Sequence, residues 1–234
     1  MRSSQTSLAI IVLLAALALA TVVALPRGMG AATAAAPMAP AGAPLIEPAA
    51  PQGTQKYNVI ALPLNSTQQF SGLGLPYNAS GLAGLVGTGV KQVLKWNAST
   101  QTYLVYDAVL NDGDNFSLGT GGVYWLLLDS TAANIVSFVG DVPAIGSVTF
   151  NLVRPTGAGC RLNDISIPLH RSDLTTPAQL ASSIGNVSQV MQWNATSQTF
   201  LVWDVDLGDG DSFAVKIGYP YRVCLKSGGS TTWP

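Results

Sequence analysis

WNASTQTYLVYDAVLNDGDNFSLGTGGVYWLLL, residues 96–128, and WNATSQTFLVWDVDLGDGDSFAVKIGYPYRVCL, residues 193–225, are two versions of one segment. A shift of 97 superposes them without a gap, and 16 of the 33 positions are identical, against about 2 expected from composition. Upstream the correspondence continues with short gaps. Leu82, Ala83 and Gly87 meet Leu180, Ala181 and Gly185, and NVIALPL at 58–64 meets NDISIPL at 163–169. The folded part of the chain is therefore one module duplicated. The boundaries read as 57–142 for the first copy and 147–228 for the second, each long enough for a small core.

Pattern and punctuation assign the elements. The opening stretch of each copy alternates apolar and small residues and reads as a strand. Its terminal proline, Pro63 or Pro168, suits a strand end because it cannot donate to a ladder. A short helix follows at Ala79–Val86 and Pro177–Ile184. In the second copy Thr175 and Thr176 offer an N-cap, Pro177 fits the first turn, and Gly185 fits the stop. VKQVLKW and VSQVMQW then run through polar turns into QTYLVYD and QTFLVWD, which predicts a hairpin. NFSL and SFAV, followed after glycines by VYWLLL and YRVCL, predict a second strand pair. One more strand is expected at 135–139, and SVTFNLV leads into the second copy. The fold class expected is mainly β: two tandem β-rich modules with one short helix each.

The order N-x-I-x-[LI]-P-L, short helix, V-x-x-V-x-x-W-N, Q-T-[YF], F, then G-x-x-Y resembles a repeat of bacterial and archaeal cell-surface proteins. The resemblance spans 57–140 and 159–227, most of the chain beyond the N-terminal 56 residues. It implies a β-rich fold and an extracellular compartment, and it carries no catalytic residue across. The second copy departs from it in having Arg222 where the first has Trp125, and Pro220 before Tyr221. The kelch repeat is a weaker likeness, since two copies do not close a propeller.

The N-terminus points the same way. Arg2 precedes an apolar run of 17 residues, 8–24, followed by small residues, which is the pattern of a secretory signal peptide within residues 1–34. Cleavage fits after Ala24 or after Ala34. An uncleaved anchor, the only membrane association foreseen, is the alternative. Residues 35–56 are rich in proline and alanine and read as an extended linker. The expected location is secreted or cell surface. Charged residues are 10% of the chain and the net charge is -1, so no basic face exists to neutralise nucleic-acid phosphates.

Cys160 and Cys224 are the only cysteines, and in an exported chain they are expected to form a disulfide. Asn-x-Ser/Thr occurs at Asn65, Asn78, Asn97, Asn115, Asn186 and Asn194, with Asn97 and Asn194 in equivalent turns. Asp204, Asp206, Asp209 and Asp211, with Asp107, Asp112 and Asp114 in the first copy, cluster around glycines. Such carboxylates suit Ca²⁺, which takes six to eight hard oxygens. Asp-Gly is equally an ordinary turn dipeptide, and the spacing is not that of an EF-hand. No other cofactor is indicated. The recurring aromatics Trp96, Tyr103, Tyr106 and Trp125, with Trp193, Phe200 and Trp203, read as cross-strand packing; a sugar-stacking platform is the competing use. Trp233 reads as a loose end.

The side chains available for catalysis are few. His170 is the only histidine, Glu47 the only glutamate, and Glu47 lies in the linker. The expectation is a non-enzymatic exported surface protein with a structural or adhesive role and an extracellular partner. The alternatives are a carbohydrate- or calcium-dependent binding module and a small secreted hydrolase.

Overall fold

The computed structural model describes residues 55–129 and 135–234, and of the N-terminal segment only the backbone of β1, Ile10–Val12. The signal peptide otherwise lies outside the described residues, as does the expected linker up to residue 54; its last two residues, Gln55 and Lys56, belong instead to the first strand of the first module. Among these residues no helix is long and apolar enough to cross a membrane.

The first copy forms a five-stranded antiparallel sheet from β2 (Gln55–Ala61), β3 (Val90–Asn97), β4 (Thr102–Asp107), β5 (Asp112–Gly113) and β6 (Val123–Asp129), in the order β2-β6-β3-β4-β5. Two helices, α1 (Thr67–Gly72) and α2 (Ala79–Val86), precede β3, and β7 (Val136–Phe138) follows β6. Between the sheets lies β8 (Phe150–Asn151). The second copy contributes β9 (Arg161–Ser166), α3 (Pro177–Ile184), β10 (Val187–Asn194), β11 (Thr199–Asp204), β12 (Asp209–Gly210), β13 (Pro220–Leu225) and β14 (Thr232–Trp233). Its sheet runs β9-β13-β10-β11-β12, the same order strand for strand. Both copies also carry a register shift at the start of the third strand, between Val90 and Gln92 and between Val187 and Gln189.

Local chemistry explains the helices. Thr176 and Gln179 make a reciprocal capping box at α3, with Pro177 in the first turn and Gly185 closing the end at φ +73°. In α2 the Asn78 side chain accepts from the Gly81 amide. The first copy has one helix more than expected, because residues 66–73 coil into α1 and bury Phe70.

Each sheet is covered on both faces. Ile60, Val93, Tyr124, Leu126 and Leu128 pack beneath Leu82 and Val86 of α2, together with Phe70 and Phe138. Ile165, Val190, Tyr221, Val223 and Leu225 pack beneath Leu180, Ala181 and Ile184 of α3. The opposite faces of the two sheets meet each other. The layers are therefore helix, sheet, sheet, helix, and β6 is apolar without alternation because both of its faces are buried.

Two expectations are corrected here. NFSL and SFAV form no strands. These segments run past the helix N-termini, where the Phe116 carbonyl accepts from Ala79 N and Val215 N donates to the Thr175 carbonyl. The following tyrosine holds each loop: Tyr124 stacks on Phe116 and its hydroxyl accepts from Gly119 N, as Tyr221 stacks on Phe213 and accepts from Lys216 N. Trp233 is not a loose end. It pairs in β14 with β8, is 3% exposed, and donates to Ser183 Oγ, so the second module reaches past residue 228.

Candidate functional site

The positions shared by the two copies converge on the face where the copies meet. Trp96 and Tyr103 sit opposite each other across β3 and β4, their rings 4.9 Å apart and edge to face; Trp193 and Phe200 repeat this across β10 and β11 at 5.0 Å. Each tryptophan reaches into the other module. Trp96 Nε1 donates to the Leu162 carbonyl at 2.9 Å, and Trp193 Nε1 donates to the Tyr57 carbonyl at 3.0 Å. Leu162 and Tyr57 occupy the same place in β9 and β2. A contact in which residue i meets j′ while i′ meets j is isologous, so the copies pack about a pseudo-twofold axis.

The two shared glutamines complete the lock. Gln101 and Gln198 sit in the hairpin turns at φ +58° and +57°. The Gln198 side chain accepts from Tyr57 N at 2.7 Å and donates to Tyr57 O at 2.9 Å. Gln101 does the same for Leu162 N and O, at 2.9 and 3.0 Å. β2 and β9 are sheet edges, and an edge exposes unpaired amides and carbonyls that invite further strands. Each glutamine amide stands in for one residue of the missing neighbour.

At the centre the symmetry breaks. The Val59, Trp125 and Phe200 set of one half is answered by Asp164, Arg222 and Tyr103 in the other. Arg222 and Asp164 face each other in register, as Trp125 and Val59 do. Arg222 Nε lies 2.6 Å from Asp164 Oδ1 and its Nη2 2.9 Å from Oδ2, a bidentate pair with side chains 4% and 6% exposed. Arg222 Nη2 also donates to the Tyr103 hydroxyl at 2.7 Å, and Trp125 Nε1 donates to Asp164 Oδ2 at 3.0 Å. Four rings surround the guanidinium, Trp96, Trp125, Tyr103 and Phe200, with centroids 4.6–5.6 Å away. Burial works to strip the Arg222 proton, but the Asp164 charge and hydrogen bonds outweigh it and the net direction is upward. Burial likewise raises the Tyr103 phenol, against the opposing pull of Arg222.

No family model, curated protein or solved structure matches this chain.

The remaining predicted residues fall elsewhere. Cys160 and Cys224 are bonded, with Cα atoms 5.4 Å apart, beside the interface. The aspartates serve their own turns. Asp204 Oδ1 accepts from Asp206 N and Leu207 N, and Asp211 Oδ2 from Val202 N; Asp107 and Asp114 do the same in the first copy. Asp112 and Asp209 each accept from the following glycine amide. At Gly210, φ +137°, a Cβ would lie 2.4 Å from the Val202 carbonyl oxygen, so the Asp-Gly dipeptide is demanded by the backbone. Asp206, without an acidic counterpart, pairs with Lys226 at 2.5 Å. Among the described residues no three His, Cys, Asp or Glu side chains are placed to hold a metal ion.

Sequon asparagines are likewise bound into turns: Asn97 and Asn194 accept from the amides two and three residues on. His170 lines a small apolar pocket with Val142, Ile145 and Pro168. The centre of the interface was the residue set that sequence reasoning missed. Its signal was present: at two aligned strand positions the second copy trades apolar residues for opposite charges, Val59 for Asp164 and Trp125 for Arg222.

Proposed function

We propose that the chain is a non-catalytic exported surface protein, built from the tandem β-rich repeat of bacterial and archaeal cell-surface proteins. Its two modules act as one rigid head on a proline- and alanine-rich stalk, in a structural or adhesive role. One observation carries this. The side chains that recur in both copies, Trp96 and Trp193 with Gln101 and Gln198, are spent on joining the copies and none is left facing solvent as a reactive group. A duplicated unit whose recurring tryptophans and glutamines are consumed in joining the copies fits a scaffold. The Cys160–Cys224 bond fits an oxidising compartment, and the apolar segment after Arg2 fits export.

The test is to express the full chain in a secretion-competent bacterium and fractionate the cells. The expected result is protein outside the cytoplasm that resists maleimide labelling after denaturation unless it is first reduced. Accumulation in the cytoplasm with two reactive thiols would overturn the proposal.

A further inference from the structure

The duplication supplies an internal control for every surface of the molecule, and one surface differs between the copies: Trp203 packs only in part against its module's core, where its counterpart Tyr106 is buried. In the first module Tyr106 is 4% exposed, belongs to the core that holds Leu82 and Val86 of α2, and donates its hydroxyl to the Asn111 side chain. In the second module Trp203 replaces Tyr106 and Gly208 replaces Asn111, both of the latter pair at positive φ. An open groove of about 370 Å³ lies here, lined by Trp203, Val205, Ser182, Asn186, Gly208 and Lys226 among others.

Trp203 is also unlike the other tryptophans. Among the described residues Trp96, Trp125, Trp193 and Trp233 each donate the indole N–H to a protein acceptor. Trp203 donates to none. A partly exposed indole with a free N–H presents an apolar face and a polar edge at the same place. The same groove is lined by Ser182 and Asn186, both exposed, and the Asn186 amide nitrogen is used on the Ser227 carbonyl, which leaves its side-chain oxygen. Ser182 stands where the first module has Gly84, so this donor too is new to the second copy. No carboxylate lines the groove, and its one cation, Lys226, is already matched by Asp206.

We infer that this groove is a subsite for one neutral hexopyranose unit of a glycan, stacked on Trp203 and hydrogen-bonded by Ser182, Asn186 and the Trp203 N–H. The chemistry is complementary on each count. A pyranose ring offers a C–H face to an aromatic ring and a rim of hydroxyls to short polar side chains, and a volume of a few hundred Å³ is that of a small-ligand site. The absence of an uncompensated charge selects a neutral sugar over an acidic one. The inference gives the adhesive role proposed above a ligand class, and it rests on that role.

The experiment is a titration of the full chain, labelled with 15N at tryptophan, with maltohexaose, cellohexaose and chitohexaose at millimolar concentrations. Five indole N–H signals are followed. The expected result is a saturable shift of the Trp203 signal with at least one oligosaccharide and none from the four internally bonded indoles. In the variants that lack this indole, binding is read by isothermal titration calorimetry, and Trp203→Ala should weaken it by about tenfold. The double variant Trp203→Tyr/Gly208→Asn, which restores the first module's closed arrangement, should abolish it while leaving the melting temperature within about 2 °C of the parent. A Trp203 signal indifferent to all three sugars, or binding retained in the double variant, would each overturn the inference. None of these outcomes bears on export, so an exported protein that ignores neutral glycans would sink the subsite alone.

Discussion

Asp164→Leu leaves the Arg222 guanidinium inside the interface with its charge uncompensated. Burial of the pair is nearly complete, at 4% and 6% exposure, and the Tyr103 hydroxyl is the hydrogen-bond partner that Arg222 keeps. Removing one member of such a pair costs about 3–5 kcal/mol. For a folded body of this size 1 kcal/mol moves the melting temperature by about 2–4 °C, so the fall should be roughly 6–20 °C. Replacing both members by apolar residues of similar volume, Asp164→Leu/Arg222→Met, removes the orphaned charge and keeps the packing among the four rings. What remains is the Trp125 N–H without its acceptor and the Tyr103 hydroxyl without its donor, each a cost of about 1–3 kcal/mol, offset by the roughly 1–4 kcal/mol gained when an ion pair no longer has to be desolvated. The double variant should therefore recover most of the loss and end within about 2 kcal/mol of the parent. The assay is a double-mutant cycle by thermal and urea unfolding of the full chain. A coupling energy of about 2 kcal/mol or more is expected, because the two residues share one network. If the two effects simply add, or if Asp164→Leu costs less than about 1 kcal/mol, the buried pair does not hold the centre of this interface.

Three further outcomes follow from the same geometry. Gln198→Ala should destabilise the chain by about 1–3 kcal/mol, since the Tyr57 amide loses the Gln198 oxygen while the Tyr57 carbonyl keeps the Trp193 N–H; Gln101→Ala should do the same through Leu162, whose carbonyl keeps the Trp96 N–H, and faster hydrogen exchange at the two edge amides is the direct readout. The disulfide closes a sequence separation of 64, for which loop entropy gives about 4 kcal/mol; Cys160→Ser/Cys224→Ser should lose about 2–4 kcal/mol in urea unfolding, and an unchanged midpoint would contradict it. Calcium should leave stability alone, because Asp204, Asp209 and Asp211 are already bonded to backbone amides of their own turns. A site filled a hundredfold above its dissociation constant would add about 2.7 kcal/mol, so equal melting curves in calcium and in chelator are expected.

Much of the scaffold could be read directly from residue pattern. The repeat at 97 residues announced two like modules, and the two sheets share one strand order. The capping residues of α3 and the Asp-Gly turns were legible because their causes are local: a side chain reaches a backbone group a few residues away. The same locality failed for NFSL and SFAV. Their composition suits a strand, but Phe116 and Phe213 are claimed by the stacked tyrosines and by the helix N-termini, partners distant in the chain.

What only tertiary structure decided is how the two copies meet. The shared tryptophans and glutamines looked like module core and turn residues, and nothing in either copy alone says that their hydrogen-bond partners lie 61–141 residues away in the other. Arg222 and Asp164 looked like departures from a pattern until the fold set them in register and sealed them among four rings. Helix caps and turns are set by neighbours along the chain, so sequence suffices for them. The meaning of a charge depends on the dielectric and the partners around it, and those exist only once two sheets have closed over it.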